Sequence, residues 1–207
     1  MRFLYVALYS LLYNQLAWAY DGVSWAVSLG RWDSWRRAAL PFVVGERVLE
    51  VGFGTGGLLS DLHRGRRRAF GVEPSAAMQR ISARRLEQQG RHVPRLQGTA
   101  QQLPFADRAF DTIVTTFPAS FILDIQAQRE FARCLRPGGR LIVVEVVLTS
   151  RHPLLRFFFP LLFPSPPGAR EQLDDAFHAA ELQSRQHVIG EGAVLPLVIV
   201  AEKEGRG

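Results

Sequence analysis

One stretch decides the fold of this chain: Val48-Leu49-Glu50-Val51-Gly52-Phe53-Gly54-Thr55-Gly56-Gly57. A short apolar strand runs into a glycine-rich turn, and a helical pattern follows. Glycine lets a ligand approach the main chain closely, and the start of a helix offers free N–H groups and the positive end of its dipole. Glu73 ends the next apolar run, where a carboxylate can accept hydrogen bonds from both hydroxyls of a ribose. The pattern predicts a site for a nucleoside-containing cofactor.

Two other interpretations of this stretch stay open at this point. The spacing Gly52-x-Gly54-x-x-Gly57 also fits the dinucleotide fingerprint, which is a weak signal when it stands alone. An ordinary tight turn between a strand and a helix would use the same glycines. Segments further along the chain decide between the cofactors.

Three such segments follow: 97–105 (Gln-Gly-Thr-Ala-Gln-Gln-Leu-Pro-Phe), 110–114 (Phe-Asp-Thr-Ile-Val) and 134–145 (Cys-Leu-Arg-Pro-Gly-Gly-Arg-Leu-Ile-Val-Val-Glu). With the glycine-rich turn, and in this order, they resemble class I S-adenosylmethionine (SAM)-dependent methyltransferases. The resemblance covers about residues 45–146 and lies close to the branch that methylates quinones, phospholipids and other small molecules, with a methyltransferase type 11-like domain. It implies a methyltransferase with SAM as cofactor, and it leaves the methyl acceptor open.

The resemblance also assigns cofactor contacts by position. The first motif approaches the methionine and ribose parts of SAM, Glu73 binds the ribose hydroxyls, and the fourth strand ends beside the reactive methyl group. Thr99 departs from the aspartate that many relatives carry, so a neutral hydroxyl replaces a charged acceptor. The cofactor-binding residues implied in this way are Glu50, Gly52, Phe53, Gly54, Gly56, Glu73, Pro74, Met78, Thr99, Ala100, Gln101, Thr116 and Phe117.

Catalytic residues are less clear from the sequence. The sulfonium of SAM is already a strong methyl donor, so alignment and exclusion of water are the main tasks of such an enzyme. A general base helps if the acceptor is a phenol or an ammonium. The pair Tyr20-Asp21 resembles one that closes over the cofactor in relatives, and Asp111 is expected to fix backbone. The candidates are Tyr20, Asp21, Glu145 and His152, although a structural carboxylate is the better explanation of Glu145.

Alternating strand and helix patterns predict an α/β fold. We expect a Rossmann-like, doubly wound, seven-stranded and mostly parallel sheet with an antiparallel last strand and helices on both faces. Residues 1–40 form an N-terminal helical lid or membrane-contacting segment, and residues 41–207 form the SAM-binding domain. The predicted strands are 46–52, 68–73, 94–97, 110–116, 140–147, 185–189 and 194–201, and the predicted helices are 56–64, 75–89, 124–135 and 171–182.

The first 35 residues hold all four tyrosines and all four tryptophans of the chain. Tyr5, Tyr9 and Tyr13 recur every four residues and share one helix face. A signal peptide is discounted because SAM is an intracellular cofactor, and the apolar run falls short of a bilayer span. Either a helix that dips into a membrane surface or ordinary packing of a lid explains the pattern.

The segment 152–168 breaks the alternation of strands and helices. It is apolar, rich in phenylalanine and proline, and too short to span a bilayer. If it is buried, it walls a substrate pocket; if it is exposed, it forms a membrane-binding loop.

Charge and composition limit the partners. The net charge is +6, and of the 25 basic residues only Lys203 is not an arginine. A basic face can meet anionic lipid, although a solvated face explains it equally well. Nothing resembles an RNA-binding module, so a nucleic acid partner is not expected. Cys134 is expected in the core, and the histidines lack metal-ligand spacing, so no metal is predicted.

Together these features predict transfer of a methyl group to a lipophilic or small-molecule acceptor. A phospholipid amine headgroup or a quinone-type ring at a membrane surface fits the apolar segments, in the cytoplasm or at the inner face of the membrane. The alternatives are a soluble acceptor, a SAM-binding protein without turnover and, more distantly, a nicotinamide enzyme.

Overall fold

A computed structural model describes residues 17–64, 67–163 and 168–205. Its strands form one seven-stranded sheet. They are β1 Arg47–Val51, β2 Arg68–Glu73, β3 Arg95–Gln97, β4 Phe110–Thr116, β5 Leu135–Leu148, β6 Leu182–Val188 and β7 Val194–Lys203.

The order of the strands in the sheet is β3-β2-β1-β4-β5-β7-β6. The first five strands run parallel to one another, and β7 runs antiparallel to both β5 and β6. The order reverses between β1 and β4, and in open α/β sheets ligands bind at the carboxyl ends of strands beside such a switch point. The predicted doubly wound sheet with an antiparallel last strand is confirmed.

Helices cover both faces of the sheet, as the sequence predicts. They are α1 Tyr20–Val27, α2 Trp32–Arg37, α3 Gly57–Arg64, α4 Ala76–Gln88, α5 Ile125–Cys134, α6 Pro153–Leu162 and α7 Ala169–Ala179. Successive strand residues alternate between two cores, since Leu49 joins the core under α5 and α7 whereas Val48 joins the core under α3 and α4.

Local sequence signals explain where two helices begin. The hydroxyl of Ser75 accepts a hydrogen bond from the Met78 N–H and caps α4, which is the predicted N-cap. Asp124 caps α5 in the same way, because its carboxylate accepts from the Gln126 N–H. Both caps fix the helix that follows a strand of the parallel sheet.

Asp111 fixes the amino end of the sheet, as expected. Its Oδ2 accepts hydrogen bonds from the backbone N–H groups of Glu46 at 2.7 Å and Arg47 at 2.8 Å, and Arg136 pairs with its other oxygen. A Cβ atom on Gly45 would lie 2.3 Å from this carboxylate. The aspartate therefore joins the start of β1 to β4.

The structure corrects several predicted boundaries. The predicted helix 171–182 is α7, Ala169–Ala179, which starts after the left-handed Gly168 and ends early enough for β6 to begin at Leu182. Strand β5 begins directly after α5, because Leu135 already pairs with Phe110 before the register shifts.

The segment 152–168, expected either as the wall of a substrate pocket or as a membrane-binding loop, contains a helix, α6. Proline is tolerated in its first turn, at Pro153, and Pro160 lies near its end. Tyr5, Tyr9 and Tyr13 lie outside the described residues. Within the described part of the chain, no helix is both long and apolar enough to cross a membrane.

Candidate cofactor and active site

A small, partly open cavity lies where β1 and β4 end, at the carboxyl edge of the sheet. Its volume of about 40 Å³ is far below the roughly 300–1,000 Å³ of a typical ligand site, but it shares Asp21, Arg36 and Arg85 with a neighbouring cavity of about 360 Å³. Among the predicted site residues, those that line the cavity are Tyr20, Asp21, Glu50, Gly52, Phe53, Gly54, Thr116 and Phe117.

Glu50 is the buried acid of this cavity. It is 1% exposed, and its Oε2 finds no hydrogen-bond partner among the described residues. Burial raises the pKa of Glu50 to about 8, although the positive charge of Arg36 opposes the shift. A buried acceptor without a partner is costly, and a cationic ligand that reached this oxygen would favour the ionised carboxylate. Glu50 is therefore suited to bind an ammonium or sulfonium group.

Glu73 holds the glycine-rich turn against the start of α4. Its Oε2 accepts a hydrogen bond from the Gly54 N–H at 3.0 Å, and its Oε1 accepts one from the Ser75 N–H at 2.9 Å. Burial raises the pKa of Glu73, and these two bonds partly oppose the shift. A carboxylate has about four acceptor positions, so Glu73 retains capacity for ribose hydroxyls while it shapes the turn.

The glycines of the turn serve different purposes. A Cβ atom on Gly56 would lie 2.4 Å from the Ser82 hydroxyl, so this glycine permits α4 to pack closely. A Cβ atom on Gly52 would meet only the Phe121 ring, at 3.6 Å. Gly52, at the end of β1, leaves space beside the main chain that a ligand can use.

Comparisons with known proteins agree with this geometry. A family model described as a methyltransferase domain matches residues 48–139, from β1 into β5. The demethylmenaquinone methyltransferase of Tropheryma whipplei is 33% identical over 178 residues, which cover 80% of this chain and 74% of that protein. The chain belongs to the class I SAM-dependent methyltransferases. Its methyl donor is SAM.

Solved structures share the fold of this methyltransferase. The geranyl diphosphate C-methyltransferase from Streptomyces coelicolor aligns with a TM-score of 0.66 and 16% identity, covering 87% of this chain and 83% of that one. A SAM-dependent methyltransferase from Thermotoga maritima, named a possible histamine N-methyltransferase, aligns with a TM-score of 0.63 and 24% identity, over 89% of this chain and 94% of that one. At these identities the alignments establish the fold alone.

The N-terminal helices of the methyltransferase close over the glycine-rich turn. Asp21 accepts a hydrogen bond from the Thr55 hydroxyl at 2.8 Å and pairs with Arg85 of α4. The Trp32 ring lies 4.1 Å from the ring of Phe117, centroid to centroid. The cluster of Asp21, Thr55 and Arg85 is called the latch below, because it ties α1 to the turn.

Arg36 is a site residue that the sequence analysis missed. Its guanidinium lies 2.7 Å from the position of a Cβ atom on Gly57, at the start of α3, and it lines the cavity with Glu50. Its side chain is 11% exposed and pairs with Asp61 and Asp33 at 2.9 Å each. A guanidinium beside a helix start can hold a carboxylate. Arg36 lies 14 positions before Glu50 with no motif around it, so the sequence carried no signal for its role.

The residues predicted at the adenine end are not among those that line the cavity. Met78 is fully buried, Thr99 is exposed and bridges to Gln102, and Gln101 donates to Asp124 at 3.0 Å. Pro74 is exposed and Ala100 is buried. Their contacts with the cofactor remain predictions.

The remaining candidate residues take different positions. Glu145 follows Val144, whose carbonyl accepts from the Phe117 N–H at 2.7 Å, and burial raises the pKa of Glu145, opposed by Arg170. His152 is exposed at the start of α6. Cys134 is fully buried, as predicted, and burial raises the pKa of its thiol to about 11, so the thiol is not a nucleophile at neutral pH.

Proposed function

We propose that this methyltransferase acts on a lipophilic acceptor at a membrane surface, and that the acceptor carries a quinone-type ring. One observation supports this acceptor above the others: an aromatic wall, formed by Phe117 and Trp32, stands at the end of β4, where the family places the reactive methyl group. Phe117 has a φ of 50°, and a bulky residue in this region is strained. The strain is consistent with a ring held in place to face a planar acceptor.

The relative from Tropheryma whipplei supports the same acceptor class, since it is named a demethylmenaquinone methyltransferase. In the proposed reaction a ring carbon of the reduced acceptor, the hydroquinone, attacks the methyl group of SAM. The bond from sulfur to methyl breaks, the new carbon–carbon bond forms, and the ring proton leaves to a base. The products are the methylated hydroquinone and S-adenosylhomocysteine.

The cofactor residues take proposed roles from this scheme. Glu50 faces the ammonium and sulfonium of SAM, Arg36 and the start of α3 hold its carboxylate, and Glu73 holds the ribose. The adenine contacts are assigned to Pro74, Met78, Thr99, Ala100 and Gln101. Residues 1–40, which include Tyr20 and Asp21, serve as the lid. The enzyme works in the cytoplasm or at the inner face of the membrane, where SAM is available.

Glu145 is the proposed base that removes the ring proton. It lies next to Val144 at the carboxyl edge, and its raised pKa favours uptake of a proton. Asp21 is committed to the latch and positions the lid. His152 is the weaker candidate, because its side chain is exposed at the start of α6.

The direct test is methyl transfer from labelled SAM to three acceptors. They are a short-chain naphthohydroquinone without the ring methyl, phosphatidylethanolamine in vesicles, and a soluble catechol. We expect transfer to the naphthohydroquinone. Transfer only to the phospholipid or only to the catechol would replace the proposed acceptor. Calorimetric binding of SAM without transfer to any acceptor would favour a SAM-binding protein without turnover.

A pair of tryptophan variants tests the aromatic wall. Trp32→Leu should raise the KM for the naphthohydroquinone about tenfold, because one face of the acceptor loses its ring partner. Trp25→Leu is the matched control, since Trp25 is 66% exposed. Equal KM values for the two variants would contradict the assignment of Trp32 to the aromatic wall.

A separate test concerns the proposed contact of the N-terminal segment with the membrane. Deleting residues 1–16 should lower binding to lipid vesicles.

A further inference from the structure

Helix α6 presents an apolar face to solvent. Leu154, Phe157 and Phe158 are 62%, 68% and 51% exposed. Their spacing of three and four residues places them on one side of the helix. Exposed aromatic residues in such a cluster mark a contact surface when they are contiguous. The rings of Phe157 and Phe158 meet edge to face at 5.1 Å, so the three side chains form one patch, which we call the outer patch.

The opposite side of α6 is anchored to the protein. The Phe159 ring packs on Phe163 at 5.2 Å, and Phe163 meets Trp35 of α2 at 6.1 Å. The row of rings continues from Trp35 to Trp32 at 6.4 Å and from Trp32 to Phe117 at 4.1 Å. Aromatic rings therefore connect the helix that carries the outer patch with the end of β4 at the active site.

The charged side chains along the stretch of sequence that contains α6 are of one sign. No aspartate or glutamate occurs between Glu145 and Glu171, whereas Arg151, Arg156 and Arg170 lie in this interval. The whole chain carries a net charge of +6. Such a segment is complementary to an anionic surface, and each basic residue near an anionic bilayer adds about 1 kcal/mol of attraction.

We propose that α6 docks the methyltransferase on an anionic lipid bilayer, with the outer patch inserted among the headgroups, so that the active site stands near a surface that holds a lipophilic acceptor. The helix has 10 residues, about 15 Å of length, so it lies in the interface and does not cross it. The inference rests on the proposed function only for the acceptor, since the docking itself needs no turnover.

The test is cosedimentation of the full chain with vesicles of phosphatidylcholine, with or without phosphatidylglycerol. The variant Phe157→Ser/Phe158→Ser removes both rings of the outer patch. The matched control is Val188→Ser/Ile189→Ser, two adjacent apolar residues that are 51% and 37% exposed on the β6 side. Both variants change only exposed side chains, and calorimetric binding of SAM checks that each retains its fold.

The parent should bind the vesicles with phosphatidylglycerol more tightly than those without it. Binding of the phenylalanine variant should be at least about tenfold weaker, and the control should match the parent. Equal binding of the phenylalanine variant and the parent, or no binding of the parent, overturns the proposal. If analytical ultracentrifugation shows that the parent is a dimer and that only the phenylalanine variant is a monomer, the outer patch binds a second copy of the chain. That result also overturns the docking proposal.

Methyl transfer measured in the same samples separates this proposal from the proposed function. Transfer to the water-soluble, short-chain naphthohydroquinone should be equal in parent and phenylalanine variant. If the phenylalanine variant binds vesicles more weakly than the parent but no quinone-type acceptor is methylated, the docking proposal stands and the proposed acceptor is wrong. If the naphthohydroquinone is methylated but the phenylalanine variant binds vesicles as well as the parent does, the docking proposal is wrong and the proposed acceptor stands.

Discussion

Two buried carboxylates lie at opposite edges of the same sheet, and they differ in how their oxygens are used. Asp111, at the amino edge, accepts two backbone N–H groups and pairs with Arg136. Glu50, at the carboxyl edge, keeps an oxygen without a partner among the described residues. Both are nearly inaccessible to solvent. The amino edge is satisfied by the protein itself, whereas the carboxyl edge keeps a buried acceptor for a ligand.

The largest expected effect is on folding, from Asp111→Ala. Two N–H groups lose their acceptor, so the free energy of unfolding should fall by about 3 kcal/mol, measured by urea denaturation. The affinity of the folded protein for SAM should not change. Asp107→Ala is the control, since the side chain of Asp107 is 72% exposed. An unchanged stability would show that Asp111 is not the structural member of the pair.

Glu50→Gln should lower the affinity for SAM and leave the stability of the free protein unchanged, which is the reverse of the pattern expected for Asp111→Ala. SAM affinity should fall about 30-fold, because a charge-assisted contact worth about 2 kcal/mol is lost, as isothermal titration calorimetry would measure. The free energy of unfolding without ligand should not fall, since a buried carboxylate becomes a neutral amide. A variant that loses stability but binds SAM normally would reverse the assignment.

The pH dependence of stability sharpens the comparison. Burial raises the pKa of Glu50 to about 8 in the folded protein, above its ordinary value of 4.5. Its protonated form is therefore favoured by folding, and stability that is fully present below the ordinary pKa is lost as the pH rises toward 8. Urea denaturation should show a steeper loss between pH ~5 and ~8 in the parent than in Glu50→Gln. Parallel curves would contradict the raised pKa.

The smallest effect is expected at the latch. Asp21→Asn weakens the ion pair with Arg85, whose partners are 44% and 31% exposed, and partly exposed pairs contribute at most about 1 kcal/mol. The affinity for SAM, measured by calorimetry, should change about threefold. The free energy of unfolding should not change. Asp107→Asn is again the exposed control. A change as large as that of Glu50→Gln would make Asp21 a direct ligand of the cofactor.

The sequence predicted the parts of the molecule that depend on local patterns. The glycine-rich turn, the cap at Ser75 and the backbone role of Asp111 followed from residues close in the chain. The resemblance implied that Asp21 closes over the cofactor, but Arg36 and the latch partners Thr55 and Arg85 could not be predicted, because they depend on which side chains α1 and α2 bring to the turn. The partnerless oxygen of Glu50 is likewise a property of three-dimensional packing.

Helix α6, Pro153–Leu162, was missed for a different reason. Its prolines argued against a helix that spans a bilayer, yet Pro153 occupies the first turn of α6, where proline lacks only an N–H group that has no helical partner. Pro160 lies close to the end of the helix. The helix therefore forms with one proline in its first turn and one inside its last turn.

The position of β7 has a consequence for synthesis of the chain. This last strand inserts between β5 and β6, so both neighbours have an unpaired edge until Val194–Lys203 emerges from the ribosome. Exposed strand edges template aggregation, and pairings that close over long sequence separations form slowly. Nascent chains stalled before Val194 already contain the whole glycine-rich turn and the end of β4. They nevertheless expose the strand edges of β5 and β6 that β7 later covers. Pairing of β7 with both neighbours is therefore the step that covers these two edges and leaves β3 and β6 as the outer strands of the sheet.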